Sequence, residues 1–312
     1  MGLETKYNRR RYCNVWIDAL SNLGLFDHSE VTKPTWRSAI ERCGLTTTYS
    51  DSPVMAISGQ SIRGYSKQEI LNFLKDGVLL DLDACKIITE LGLEEYIGIQ
   101  IMKEFRQRDC LWPNVVGVEE FFDQELGGKP DTYLGGFLDS WSKRFGLIKM
   151  HSGARISSQM LDINRKPMFP LLTRFTNKLG GRVAVLPYDI SQVACSPDFL
   201  RPMRIVQLRE TLRWLSRGKL PMSVTGGAYP LPLRVDYPDS ILFSIFNLSL
   251  DAYKPQVEAY VGKRKVKKLE VLDDNGVWKV LPFTKWNLEN GILRFQSPDK
   301  RSYERPLFVL VR

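Results

Sequence analysis

Residues Gly77 to Gly98, Gly-Val-Leu-Leu-Asp-Leu-Asp-Ala-Cys-Lys-Ile-Ile-Thr-Glu-Leu-Gly-Leu-Glu-Glu-Tyr-Ile-Gly, constrain the fold more than any other stretch. Val78, Leu79 and Leu80 form an apolar run too short for a helix, and the Asp81 carboxylate stands where it can cap the first free N–H groups of one. Leu82, Cys85, Ile88 and Leu91 then recur every three residues on one face, Gly92 supplies a left-handed stop, and residues 96–101 begin a second extended run. Strand, helix and strand packed this tightly make a layered α/β unit.

The alternation extends upstream. Residues 54–57 read as a strand, and Ser66-Lys-Gln-Glu69 is a capping box, its Ser and Glu side chains satisfying reciprocal backbone donors at the start of a helix that ends at Gly77. Strand, helix, strand, helix, strand over residues 54–101 predicts a mostly parallel sheet with helices on its faces. From Lys103 to Pro202 the pattern is less regular: 145–150, 154–159 and 182–186 read as extended, while Gly127-Gly-Lys-Pro130 and Gly135-Gly136 read as turns. Residues 203–216 form a helix with Ile205, Leu208, Leu212 and Leu215 as its buried stripe, stopped by Gly218 and Pro221.

After Ser240 the period becomes that of short alternating strands, over 241–248, 256–261, 268–272, 277–282, 291–296 and 307–311. Asn275-Gly276 and Asn290-Gly291 stand where tight hairpins need residues that tolerate positive φ. A small antiparallel β-sandwich is the natural closure, with its boundary in the Pro-rich stretch 228–236. At the other end, residues 7–25 read as an amphipathic helix with nothing to pack on, followed by a linker over 27–33 and a Pro-initiated turn over 34–40. The expected organisation is a helix and linker over 1–33, an α/β domain over 34–230 and a β-sandwich over 231–312.

A length of 312 residues is enough for about two domains that each bury a core, and 43% hydrophobic content is that of globular proteins. No stretch approaches the roughly eighteen uncharged apolar residues of a membrane span. The N-terminus runs into the basic cluster Arg9-Arg10-Arg11 without an apolar core, so it does not read as a secretory signal, and Lys6 stands where myristoylation wants Ser or Thr. No compartment follows from the sequence. The net charge of +9 raises the question of nucleic acid, but the strongest patches (Arg9 to Arg11; Arg209, Arg213 and Arg217; Lys263 to Lys268) fall in three separate elements and carry no interleaved stacking aromatics. They read as a solvated helix face and a protected sheet edge, so neither nucleic acid nor membrane is an expected partner.

Cys13, Cys43, Cys85, Cys110 and Cys195 are odd in number and contain no C-x-x-C pair, which predicts free, mostly buried thiols. His28 and His151 have no second ligand at metal spacing, so neither metal nor cofactor is expected. Glycoside hydrolysis needs two carboxyl groups flanking one bond, but the adjacent pairs Glu94-Glu95, Glu119-Glu120 and Asp273-Asp274 point to different faces. Cys85 lies on the buried stripe, without the glycine-flanked turn and partner histidine of a nucleophile. Gly59-Gln-Ser-Ile-Arg-Gly64 has Arg63 where a nucleophile elbow needs its second glycine, and Asn177 to Gly181 lacks the spacing of a phosphate loop. A polar loop and a β-turn are expected at these two places.

Taken in order, Ser58-Gly-Gln-Ser61, the 77–98 unit, Gly153-Ala-Arg-Ile-Ser157, Asn177-Lys-Leu-Gly-Gly-Arg-Val-Ala-Val185, Phe246-Asn-Leu-Ser-Leu-Asp251 and Asp273-Asp-Asn-Gly-Val-Trp278 resemble the C-terminal, post-barrel half of β-galactosidase-like glycoside hydrolases. The resemblance covers most of the chain. It implies an α/β fold, a flavodoxin- or amidotransferase-like parallel-sheet domain followed by a small antiparallel β-sandwich, with oligomer contacts made by the α/β domain. It also implies a sugar-cleaving barrel with two catalytic carboxylates, yet the residues before Val54 leave no room for a barrel of about 250 residues. No carboxylate here matches the family's acid or nucleophile, so no catalytic residue is carried over. The implied role is a non-catalytic region that supports assembly and flanks a carbohydrate site, with a missing barrel or further copies of the chain as partners. The alternative is a free-standing carbohydrate-binding protein in which Trp112, Trp278 and Trp286 stack on sugar rings, against the competing role of each in packing. Without a barrel, an apolar patch around the first helix and Trp36 is expected at the surface or under another subunit.

Overall fold

Val54–Ile57, Gly77–Leu80 and Arg182–Val185 lie side by side and parallel, in register Met55 to Val78 and Val78 to Val183. Every residue of the first two strands is buried, which is why they read as unbroken apolar runs instead of alternating ones. The computed structural model that shows this describes residues 11–12, 15–16, 36–47, 52–106, 118–136, 144–162, 164–193 and 199–312. Its contacts divide the chain into two units, Met1–Ala39 with Tyr49–Ser216, and Ile40–Thr48 with Arg217–Arg312.

In the first unit the three parallel strands are continued antiparallel by Thr173–Thr176 and Arg155–Ile156, completing a five-stranded mixed sheet. The expectation of a mostly parallel sheet is corrected here. After the helix Leu82–Glu90 the chain makes a 3-10 turn at Glu94–Tyr96, and the next strand, Ile99–Arg106, leaves the sheet to pair antiparallel with Arg144–Met150. Its place beside Gly77–Leu80 is taken by Arg182–Val185, a pairing no local sequence pattern encodes. A four-stranded antiparallel sheet of Pro167–Pro170, Ser158–Leu161, Val118–Phe121 and Tyr133–Gly136 completes the unit. Gly135-Gly136, expected as a turn, therefore ends a strand.

The helices start where their caps predict. Ser66 and Glu69 form both halves of the capping box before Lys67–Phe73, and Asp81 accepts from the Ala84 N–H at 2.9 Å to open Leu82–Glu90. Ala84, Cys85, Ile87 and Ile88 close over Val78, Leu80, Val183 and Val185 in one core. Pro202–Leu215 buries Leu208, Leu212 and Leu215 as expected, but Arg204, Gln207 and Thr211 share that face while Ile205 is only half-buried. Asn177 fixes the turn before Arg182–Val185: its side-chain oxygen accepts from Leu179 and Gly181 N–H, and its amide donates to Leu74 O at 2.7 Å. At Gly181 a Cβ would lie 1.9 Å from that same Leu74 oxygen, so the close approach requires glycine.

Two N-terminal expectations are corrected. Arg11–Tyr12 and Val15–Trp16 pair as a short antiparallel ladder where a helix over 7–25 was expected, the β-branched and aromatic residues favouring extension. The rest of that helix and the linker lie outside the described residues. Trp36–Arg42 is a helix, and Trp36 is fully buried with its indole N–H donating to Ile57 O at 3.1 Å, so it contributes to the core and not to a surface patch.

The second unit is a pair of antiparallel sheets. One has the order Ser223–Thr225, Gln256–Tyr260, Ile292–Gln296, Trp286–Glu289; the other Pro230–Asp236, Ile241–Asn247, Leu307–Val311, Leu269–Leu272, Trp278–Leu281. Phe243, Ile245, Val309, Val271 and Leu281 of the second sheet form one apolar core with Val257, Ala259, Leu293 and Phe295 of the first. Asn290 and Gly291 both take positive φ, 52° and 74°, as their hairpin demands. The Pro-rich stretch expected as a link is the edge strand Pro230–Asp236, where Pro230 and Pro232 cost no ladder on the open side.

Candidate functional site

Open α/β sheets bind their ligands at the carboxyl edge of the parallel strands. Ile57 leads there into Gly59–Gly64, a 3-10 turn and not the entry to a helix. Ser61 is fully buried and donates to Ser58 O at 2.5 Å, so it is a turn-forming residue. Asp81 follows Leu80 and bridges two segments, accepting from Gly59 N–H and Ala84 N–H, each at 2.9 Å. Burial pushes its carboxyl well above the usual range, against the pull of those two donors. Cys85, one turn into the helix, is fully enclosed, and burial together with the Asp81 and Asp83 charges pushes its thiol up, the reverse of what a nucleophile needs.

Beside this edge Arg144 is gripped by three carboxylates. Its Nη2 donates to Asp83 at 2.6 Å and to Asp189 at 3.0 Å, and its Nη1 to Glu104 at 3.0 Å. Asp83 and Asp189 converge on one nitrogen, yet the guanidinium fills the space between them where a scissile bond would have to lie. Burial raises the Asp83 carboxyl, and the two aspartates hold the guanidinium pKa up in spite of its own burial.

The adjacent acidic pairs separate as the alternation of side chains demands. Glu119 is buried and takes Arg204, Tyr188, Ser158 and Gln207 as donors, whereas Glu120 accepts from Gln159 and from Asp131 N–H. Glu95 pairs with exposed Lys178 at 2.8 Å, and Asp273 with Lys279 while Asp274 pairs with Arg305. Lys279, then the backbone N–H groups of the turn, hold Asp273 below its ordinary value. Among the described residues no three His, Cys, Asp or Glu side chains converge as metal ligands do, and no helix is long and apolar enough to cross a membrane.

The nominated aromatics fall on different surfaces. Trp112 lies outside the described residues. Trp278 opens the edge strand of the five-stranded sheet, opposite Leu272, and is 38% exposed. Trp286 opens the edge strand of the other sheet opposite Phe295 and packs on the sandwich core, its ring centroid 5.0 Å from that of Phe283. The register places Trp278 on the outer face and Trp286 on the inner, so they form no common platform.

That outer face is the surface that sequence reading missed. One row of opposed residues crosses all five strands, Val235, Leu242, Leu310, Glu270 and Val280 in turn, and the next carries Leu233, Ser244 and Phe308. Leu233, Val235, Trp278 and Val280 are exposed, where a sheet facing water would alternate to polar side chains. The signal was present: Leu231, Leu233 and Val235 alternate with the core-side residues of a stretch taken for a linker.

No protein-family model matches the chain, and no curated protein matches it. Solved structures do. The α-L-fucosidase isoenzyme 2 of Paenibacillus thiaminolyticus is similar over 88% of this chain and 44% of its own, with a TM-score of 0.59 at 10% identity. A β-galactosidase from Rahnella sp. R3 is similar over 93% of this chain and 41% of its own, with a TM-score of 0.45 at 13% identity. A catalytic mutant of Gan42B, a GH42 β-galactosidase from G. stearothermophilus, is similar over 89% of this chain and 35% of its own, with a TM-score of 0.43 at 12% identity. The chain thus has the fold of a region of the fucosidase, and spans less than half the length of each of these enzymes.

Proposed function

We propose that this chain is a non-catalytic, post-barrel region of a glycoside hydrolase, an amidotransferase-like α/β domain and its β-sandwich, that supports assembly and flanks a carbohydrate site carried by a barrel domain. The observation that carries the reading is the likeness to the fucosidase, which takes in both units of this chain and less than half of that enzyme. The chemistry of the carboxylates agrees with it: Glu119, Asp83, Asp189 and Asp274 are each held by an arginine, an arrangement that spends their charge on structure. The apolar outer face of the five-stranded sheet is a surface suited to a neighbouring domain or subunit.

A free-standing carbohydrate-binding protein is the second reading, favoured by one observation, the exposed Trp278 beside Val280 on that face. The genomic reading frame upstream of Met1 separates the two. An in-frame barrel of about 250 residues supports the first reading; a stop codon directly upstream, with no barrel encoded as a neighbouring gene, overturns it in favour of the second.

A further inference from the structure

The basic run Lys263 to Lys268, expected to guard a sheet edge, has no edge to guard. The strand it leads into, Leu269–Leu272, lies between Leu307–Val311 and Trp278–Leu281 in the five-stranded sheet. Residues 262–268 are instead a turn and a loop at one end of that sheet, the end where Ile241 and Leu269 both stand opposite Val311. There the loop, the turn 237–240 and the end of the last strand enclose a cleft of about 170 Å³. Arg264, Lys265 and Arg312 line it, over the buried apolar side chains of Ile241 and Val311.

The walls are fixed by backbone bonds. Arg264 Nη1 donates to Tyr237 O at 2.8 Å and to Ser240 O at 3.2 Å, tying the loop to the turn, while its Nη2 lies 3.3 Å from Asp236. Arg312 N–H donates to Lys268 O at 3.0 Å, and the Arg312 carbonyl accepts from the N–H groups of Lys267 and Lys268 at 2.6 and 2.9 Å. The charge of the run is not balanced. Lys268 and Arg312 share Glu270, but no described carboxylate pairs with Lys263, Lys265 or Lys267. The backbone N–H groups of Lys265 and Val266, two residues that line the cleft, donate to no described residue. Asp239 is the one acidic residue of the lining, and the Ser240 hydroxyl donates to it at 3.3 Å.

We propose that this cleft binds a sugar carrying a tetrahedral oxyanion, a sulfate or phosphate ester, with Lys265, Arg264 and Arg312 around the oxyanion and Asp239 accepting from a ring hydroxyl. Three cations around one small cavity favour a concentrated negative charge, and a lysine ammonium is a point charge that asks for no planar partner. Asp239 selects among such ligands. A carboxylate beside the cations repels a bare anion or a phosphodiester backbone, and is favourable only where the ligand brings donors next to its charge, as sugar hydroxyls do. The volume lies below the roughly 300 Å³ of a pocket for a drug-sized ligand, which suits a single substituted ring. The choice of a sugar as carrier rests on the proposed role of this chain beside a carbohydrate site; the choice of an oxyanion rests on the cleft alone.

The test is isothermal titration of the full 312-residue chain at pH 7 with galactose 6-sulfate, galactose 6-phosphate, galactose and sodium sulfate. At least one ester is expected to bind saturably, and the tighter of the two names the source of the oxyanion. Sodium sulfate is expected to bind at least about tenfold more weakly, and galactose not to bind. Lys265→Met and Arg312→Met should each lower ester affinity by about three- to tenfold; Lys265 is exposed, so its variant keeps the fold. Lys300→Met, which removes the same charge from a residue outside the lining, should leave affinity within about twofold. Asp239→Ala should weaken the ester and strengthen sodium sulfate. Binding of neither ester, or an equal loss in the Lys265 and Lys300 variants, overturns the proposal. Sodium sulfate binding as tightly as the esters, or an Asp239→Ala variant that strengthens both, overturns it too and marks a site for bare anions or a nucleic-acid backbone. The role beside a barrel fails separately: ester binding with a stop codon directly upstream keeps the site and drops that role, and no binding with a barrel upstream does the reverse.

Discussion

Glu119 and Arg204, 85 residues apart in the chain, meet in a buried ion pair that joins the strand Val118–Phe121 to the helix Pro202–Leu215. Both are almost wholly enclosed, and Tyr188 donates to the same carboxylate at 3.0 Å while the guanidinium lies 4.7 Å from the centre of the Phe199 ring. Removing one partner strands the other charge in the interior. Glu119→Ala or Arg204→Ala is expected to cost about 3 to 5 kcal/mol, read from the midpoint of urea unfolding. Replacing both with apolar residues of similar volume is expected to recover most of that loss, and a double variant as unstable as either single one would contradict this account.

The turn at Gly180-Gly181 separates two reasons for glycine. At Gly181 the obstacle is the Leu74 oxygen, 1.9 Å from an added Cβ; at Gly180 nothing lies within 4 Å, and only φ of +82° resists a side chain. Gly181→Ala is expected to cost about 3 kcal/mol by overpacking, and Gly180→Ala about 1 to 2 kcal/mol by backbone strain. Chemical denaturation of both variants checks the order, and equal costs would contradict it.

Alkali should unfold the chain through its buried phenols. Burial pushes Tyr253 up to about 12, and burial with the Glu119 charge raises Tyr188 well above the ordinary value. An unfolded tyrosine loses its proton near pH 10, so between about pH 10 and 12 the folded state holds protons that the unfolded state has released. Stability is therefore full below about pH 10 and falls as pH rises through the folded value. Tyr253→Phe should flatten its share of that slope in melting temperature against pH, with fewer late-titrating phenols in the ultraviolet spectrum. An unchanged slope would count against the burial argument.

How far this was legible in the sequence depends on where the determinants sit. Ser66, Glu69 and Asp81 act within three residues of their own positions, so both helix starts were readable. The partner of Gly77–Leu80, which is Arg182–Val185, is set by a contact a hundred residues away, and the sheet was accordingly expected to be more parallel than it is. Trp36 looked like surface because the apolar segment it belongs to has no local partner; its hydrogen bond to Ile57 O is long-range. Glu119 was legible only as one of an adjacent acidic pair whose side chains point to different faces, and its partner Arg204, 85 residues on, is brought to it by the fold alone.

Trp278 and Trp286 should behave differently. Trp278 is exposed on an edge strand, so Trp278→Ala is expected to stay within about 0.5 kcal/mol of the parent in stability, and any sugar affinity of the outer face should fall with it. Trp286 packs on the sandwich core with Phe283, and Trp286→Ala is expected to cost about 2 kcal/mol. Thermal melts with glycan-array binding on both variants distinguish the two roles. Loss of stability in the Trp278 variant alone would reverse the assignment.

The most direct measurement is hydrolysis of chromogenic galactosides, fucosides and glucosides by the purified 312-residue polypeptide. With Glu119, Asp83, Asp189 and Asp274 all bound to arginines, no release of chromophore above the buffer rate is expected. Turnover that disappears when one of the chain's own carboxylates is replaced would contradict the account.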